Sequence, residues 1–288
     1  MRSHIATLAA SAALGLALTG AAVADPVEDS LTVITEDGEL EIVTRTAAPD
    51  HLKDVLPTIY SGWHYREDET RALQRDDFDN PGMVFADRGH DNWNAEIGTG
   101  GESCASCHGG PESMKGLRAV TPRVDAKTGK LMIIEDYVNA CVTERMGLEA
   151  WGVTGDKMKD MLALISLQSR GETVNVAIDG PAAPFWEKGK EMYYTRYGQL
   201  EMSCANCHED NTGQMIRADH LSQGQISGMP VYRLKDAGVV SAQQRFVGCV
   251  RDTRAETFKA GSDEFKALEL YVASRGNGLS VEGLGVRH

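Results

Sequence analysis

Apolar residues recur along this chain in three regimes. Residues 5–18 form a largely apolar, Ala-rich run behind Arg2 and His4, ending near Ala22-Val-Ala24. That is the pattern of a cleavable export signal, with mature residues beginning at Asp25. The segment from Asp25 to about Asn80 carries short β-forming clusters. Leu31-Thr-Val-Ile-Thr and Leu40-Glu-Ile-Val-Thr flank Asp37-Gly38, which predicts a hairpin. Asp50-His-Leu-Lys-Asp-Val-Leu predicts a short helix capped by Asp50 and ended by Pro57. Ser61 to Asp79, with its charged run, reads as a wrapping segment. From Pro81 onward the spacing turns helical. Helices are expected over Pro81–Asn94 and Ala183–Tyr197, with closing helices ending at Gly171 and Gly276 as candidate C-caps. Gly171–Pro184 reads as a linker, and the Gly-rich stretch Gly276–His288 as irregular.

The helical part repeats itself. Pro81, Phe85, Gly89, Cys104, Cys107 and His108 return 100 residues later as Pro181, Phe185, Gly189, Cys204, Cys207 and His208. Trp93 and Tyr193 share an offset, Gly116…Pro122 matches Gly224…Pro230, and Cys141-Val matches Cys249-Val. Both closing segments end on Ser-Arg-Gly. Ordered coincidences of this kind indicate a duplicated unit. The fold class expected is mainly α, two tandem cytochrome c-like domains with a haem-free N-terminal extension. The expected boundaries are 1–24 for the signal, 25–80 for the extension, and 81–175 and 181–288 for the two domains.

The chemistry sits in the repeat. Cys104-Ala-Ser-Cys-His108 and Cys204-Ala-Asn-Cys-His208 are C-x-x-C-H motifs, the pattern for covalent haem c attachment. Cys104, Cys107, Cys204 and Cys207 would form the thioethers of two haems, and His108 and His208 would be the proximal iron ligands. Pro122 and Pro230 are candidates to accept the proximal imidazole N–H through their carbonyls. For the opposite face, Met229 is the ordinary electron-transfer choice, but its counterpart in the first half is Thr121. Cys141 and Cys249 are matched, lying 33 and 41 residues after their histidines. They are the preferred distal ligands, against the alternative of a disulfide joining the halves. His64 stands alone and is not expected to bind a metal.

Charge narrows the partners. The chain has 29 Lys and Arg against 42 Asp and Glu, net −13, and loss of Arg2 with the signal leaves 28 − 42 = −14. Such a chain is a poor nucleic-acid binder, and no later segment is apolar enough to anchor in a membrane. An anionic substrate would need a local basic site. Arg245 stands four residues before Cys249, where Tyr137 precedes Cys141, and Arg251 follows closely.

The paired motifs, the matched cysteines and Arg245-Phe-Val-Gly-Cys249 resemble the diheme SoxA subunit family of periplasmic SoxAX cytochromes, over essentially the whole mature chain. The resemblance implies a heterodimer with a SoxX-type small cytochrome c. It implies oxidative conjugation of thiosulfate to a cysteine of a SoxYZ-type carrier, the activity of an L-cysteine S-thiosulfotransferase. Electrons would leave through haem to a c-type cytochrome acceptor in the periplasm. Cys249 would be the active-site ligand, open to carrying a persulfide, and Arg245 would bind the anion. The competing readings are a pure electron-transfer diheme cytochrome with Met ligation, and a diheme peroxidase.

Overall fold

A computed structural model describes residues 29–288; the expected export signal, residues 1–24, lies outside them. The hairpin is present as β1 (Ser30–Thr35) and β2 (Gly38–Val43), antiparallel, with Thr35 opposite Gly38. Its inner face buries Leu31, Val33 and Ile42 against Trp63. The strand pair β3 (Arg45–Ala47) and β4 (Thr58–Tyr60) follows. The Asp50 helix is only a 3-10 turn over Asp50–Leu52, and Pro49, not Asp50, occupies its cap without a side-chain hydrogen bond. One uncapped turn ahead of Pro57 has too few bonds to propagate. The wrapping segment contains helix α1 (Asp68–Arg75).

Each repeat then builds the same crossed pair of helices. In the first, α2 (Met83–Asn94) leads to the haem-motif helix α3 (Cys104–His108). The strands β5 (Arg123–Val124) and β6 (Leu131–Met132) come next, followed by α4 (Ile134–Glu144) and the closing α5 (Asp156–Leu167). In the second, α6 (Ala183–Tyr194) leads to α7 (Cys204–His208), β7 (Met215–Ile216) and β8 (Asp219–His220). Strands β9 (Val231–Arg233) and β10 (Gly238–Val240) precede α8 (Ala242–Asp252) and α9 (Asp263–Ser274). First and last helices pack in each, α2 on α5 and α6 on α9.

The repeated glycines explain the crossing. A Cβ on Gly89 would run into the Asp160 carbonyl, and one on Gly189 into the Ala267 carbonyl. Only glycine lets the two backbones touch there. α6 stops three residues before the expected Tyr197, where Thr195 turns extended and its hydroxyl donates to the Glu191 carbonyl at 2.8 Å. The closing helices are capped by Gln168 and Arg275 rather than by the glycines. The arginines of the repeated Ser-Arg-Gly are anchors. Arg170 pairs bidentately with Asp77 at 2.6 and 2.7 Å. Arg275, fully buried, bonds Glu209 at 2.6 Å.

The C-terminal stretch is not irregular. Leu279, Val281, Leu284 and Val286 are buried, and β11 (Gly285–Arg287) joins β9 in parallel. Ser280 N–H donates to the Val43 carbonyl and Glu282 N–H to that of Ser227. The glycines obscured an apolar series that fastens the extension to both helical units. The linker lies against this tail, with Val174 N–H bonded to the Leu279 carbonyl. No helix among the described residues is long and apolar enough to cross a membrane.

Candidate haem sites and the sulfur opposite each histidine

The residues between the motif cysteines have a local job. In α3, Ser103 caps the helix: Ser106 N–H donates to Ser103 Oγ at 3.1 Å, and Ser103 N–H to Ser106 Oγ at 3.0 Å. In α7, Ser203 and Asn206 make the same reciprocal pair at 3.2 and 3.0 Å. Each five-residue helix is thereby held as a rigid platform for two thiols and an imidazole.

Cys104, Cys107 and His108 line one cavity together with Trp93, Cys141 and Tyr137. Trp93 packs its ring 5.8 Å from that of His108 and donates its indole N–H to the Gly109 carbonyl at 2.8 Å. Cys141, on α4, places Sγ 3.9 Å from His108 Nε2. A metal bonded to both at roughly 2.0 and 2.3 Å would separate them by about 4.3 Å in line. The pair therefore sits close to the span of a shared axial metal. Burial pushes the Cys141 thiol up and Arg145 opposes it.

Cys204, Cys207, His208 and Cys249 line the second cavity, with Arg245 one turn before Cys249 on α8. Here the imidazole is enclosed. His208 Nδ1–H donates to the Ser222 carbonyl at 2.7 Å, which leaves Nε2 as the unprotonated ring nitrogen. The acceptor is thus Ser222 and not Pro230, whose place is on a small cavity between the two units. No hydrogen bond joins Pro122 to His108 among the described residues. Burial, reinforced by Arg245 and Arg275, lowers the His208 pKa to about 4 against the Ser222 bond. Gly224, with φ of +82°, presses on the ring: a Cβ there would lie 2.9 Å from His208 Cγ. Burial pushes the Cys204 thiol up to about 12.

These residues fit haem better than a bare ion. Among the described residues no group of three or more His, Cys, Asp and Glu could hold a metal. Beyond the two motif cysteines, the first cavity offers His108 and Cys141 and the second His208, His220 and Cys249, a sparse donor set that suits iron already carried in a macrocycle. Beside the second cavity, Tyr193 Oη and the Nε and Nη2 of Arg275 are buried without partners among the described residues. They are donors suited to an anionic substituent. All six cysteines are unbridged, so Cys141 and Cys249 do not form the alternative disulfide. His64 packs edge-on against Tyr60 and Trp63 and lines neither cavity. Met229 lines the second cavity along with Cys249.

The sequence missed part of this lining. Arg66, Arg233 and Arg287 also reach the second cavity. Arg66 pairs with Asp219, and Arg287 with Glu282 at 2.9 Å. Arg233 donates to the His288 carbonyl at 3.1 and 2.8 Å and lies 3.7 Å from Asp236. Arg245 alone of the four has no carboxylate partner among the described residues. Arg251 points away, exposed and 3.8 Å from Asp252. Arg66 and Arg287 come from the extension and the tail, the segments read as wrapping and irregular. The alternation of Val281, Leu284 and Val286 with charged residues was the available signal.

The SoxA/TsdA cytochrome c domain matches this chain over residues 88–174 and 188–281. The L-cysteine S-thiosulfotransferase subunit SoxA of Paracoccus pantotrophus is 78% identical over 98% of this chain and 97% of that protein. The subunit of the same name from Rhodovulum sulfidophilum is 54% identical over 98% and 97%. The crystal structure of SoxXA from P. pantotrophus superposes with a TM-score of 0.90 at 78% identity, covering 92% of this chain and 100% of that one.

Proposed function

The chain belongs to the SoxA family, and on that premise we propose how it works as an L-cysteine S-thiosulfotransferase subunit. Its cytochrome c domains carry covalently bound haem c. Each motif would carry one haem, which His108 and Cys141 would hold in the first cavity and His208 and Cys249 in the second. The 3.9 Å approach of Cys141 Sγ to His108 Nε2 supports the first pair, and the shared cavity lined by His208 and Cys249 supports the second. The substrate is thiosulfate, the acceptor a cysteine of a SoxYZ-type carrier, the partner a SoxX-type small cytochrome c, and the compartment the periplasm. The match to a SoxXA structure supports the partner.

Chemistry is assigned to the second cavity. Arg245 binds the dianion through charge-assisted bonds and brings its outer sulfur to Cys249. The Cys249 thiolate and thiosulfate join through a new S–S bond, with release of two electrons. The haem, when bound, supplies the route by which those electrons leave toward a c-type cytochrome acceptor. The carrier thiolate then attacks the sulfur attached to Cys249, forming its own S–S bond to the thiosulfate group and returning Cys249 as thiolate. Ser222 and Gly224 keep the His208 ring in place throughout.

The observation that carries this reading is the unneutralised Arg245 one turn from Cys249, in a cavity whose other arginines are committed. Arg245→Gln removes charge-assisted bonds of about 1.5–3 kcal/mol each, which predicts a loss of roughly 10- to 100-fold in kcat/KM for thiosulfate. Arg245→Lys should recover part of it. Unchanged kcat/KM in Arg245→Gln would remove the anion-binding role.

A further inference from the structure

The wall between the two haem cavities holds a polar cluster that the reaction above does not use. Ile134 lines the first cavity and Met229 the second, and both line a third, small cavity between them, of about 20 Å³. That is room for one water. Its other walls include Arg118, Glu135, Ser166, Ser241 and Glu269. Glu135 comes from α4, the helix that carries Cys141, and Glu269 from α9, the closing helix of the second unit. Glu135 is 4%, Glu269 6% and Arg118 7% exposed, so all three charges are out of bulk water.

The pairing there is incomplete. Arg118 spends its guanidinium on backbone carbonyls: Nε on Met229 at 3.2 Å, Nη1 on Thr121 and Nη2 on Ile226, both at 3.1 Å. It makes no ion pair among the described residues. Glu269 Oε2 accepts one bond, from Gln243 Nε2 at 2.6 Å. The Gln243 amide is fixed as donor, because its oxygen accepts Gly261 N–H at 2.8 Å. The remaining charges facing the pair, Lys266 and Asp136, are committed to each other at 2.8 Å. Two buried carboxyls thus face one buried guanidinium. Burial raises the pKa of both, Glu269 pushes Glu135 further up, and Arg118 opposes each shift. Two buried like charges cannot both ionise cheaply, so the cluster retains a proton where free carboxyls would lose theirs.

We infer that Glu135 and Glu269 form a redox-linked proton site shared by the two haem cavities. It takes one proton from solvent when an electron enters either cavity and returns it when the electron leaves. The only bond made or broken is a carboxyl O–H. The electron comes from the Cys249 thiolate and thiosulfate as they join, or from a chemical reductant, and the proton comes from water. The physical cause is electrostatic: a negative charge added behind Ile134 or Met229 raises the proton affinity of the pair. By linkage, a bound proton raises the electron affinity of both cavities. A reaction that releases two electrons gains from such a site, because the proton offsets repulsion between the first electron and the second. This inference rests on the reading that both cavities hold haem.

The test is a spectroelectrochemical titration of the holoprotein across pH, on both sides of the value of about 8 reached by Glu135. The unaltered protein should show haem electron affinity falling as pH rises, by at most tenfold per pH unit for one proton per electron. Glu135→Gln and Glu269→Gln should each reduce or abolish that slope while two haems remain bound. Reduction of the unaltered protein in weak buffer, followed with a pH-indicator dye, should show proton uptake without recourse to any variant. A flat pH dependence in the unaltered protein, or a slope retained in both variants, would overturn the inference. A preparation with one haem per chain would contradict the two-haem reading instead, and the slope at that haem would still decide this one.

Discussion

The two halves share an anchoring plan and differ in what surrounds it. His108 is exposed and His208 is partly buried, held by the Ser222 carbonyl on one side and Gly224 on the other. The matching Gly116 has open space where its Cβ would be. One turn before Cys141 and Cys249 the difference sharpens. Tyr137 holds a neighbouring arginine, accepting Arg123 Nε at 3.1 Å under its ring. Arg245 is itself the cation and is left unneutralised. Both copies have the platform helices and the glycine crossings, and both cavities carry cations without a carboxylate partner among the described residues, Arg123, Lys127 and Arg145 in the first and Arg245 in the second. The second differs in its enclosure and in setting its arginine one turn before the cysteine. A site that only passes electrons needs what the copies share. A site that binds a small dianion and holds a sulfur nucleophile needs what sets the second apart.

The comparison can be broken first at the crossings. Gly189→Ala drives a methyl into the Ala267 carbonyl and Gly89→Ala into that of Asp160. Each should cost about 1–3 kcal/mol of stability, read as a lowered thermal midpoint. Gly189→Ala should also depress thiosulfate conjugation, whereas Gly89→Ala should disturb only the first haem's spectrum. Equal loss of activity in both would mean that the halves do not divide the work.

The proximal side offers a finer contrast. Gly116 and Gly224 both have positive φ, 76° and 82°. Alanine at Gly116 should cost only the left-handed penalty, about 1–2 kcal/mol. Alanine at Gly224 adds the collision with His208 and should shift the absorption of the second haem. Identical spectra in the two variants would remove the claim that Gly224 positions the ring.

The smallest effect expected is on stability with pH. Folding raises the pKa of Glu135 and Glu269, so the native state binds more protons than the unfolded one. Their contribution is most favourable below the ordinary carboxylate range and is lost as pH rises through the native values. Glu135→Gln should therefore flatten the alkaline side of a stability–pH curve measured by denaturant unfolding. A curve that keeps its alkaline fall would place the cause elsewhere.

The motif helices α3 and α7 were legible because the C-x-x-C-H pattern and its duplication leave fixed spacings. Gly89 and Gly189 stand in register with those motifs, so the helix crossings also left a mark in the pattern. What was not legible depended on burial of residues that pattern assigns to the surface. Leu279 to Val286 looked loose because glycines interrupt its apolar series. The Ser222 carbonyl has no side-chain signature at all. Glu135 and Glu269 sit within apolar runs, Leu131-Met-Ile-Ile-Glu and Leu268-Glu-Leu-Tyr-Val, and a carboxylate in such company was the signal that a polar site lay inside.

The sulfur chemistry proposed for Cys249 should not be shared by its twin, Cys141. The measurement that tests it most directly is the mass of a carrier protein after incubation with thiosulfate and an electron acceptor, comparing Cys249→Ala with Cys141→Ala. The account predicts that Cys249→Ala slows addition of the thiosulfate group by roughly 100-fold or more. Cys141→Ala should retain addition, with only the first haem's spectrum changed. Addition that persists in Cys249→Ala and disappears in Cys141→Ala would contradict it.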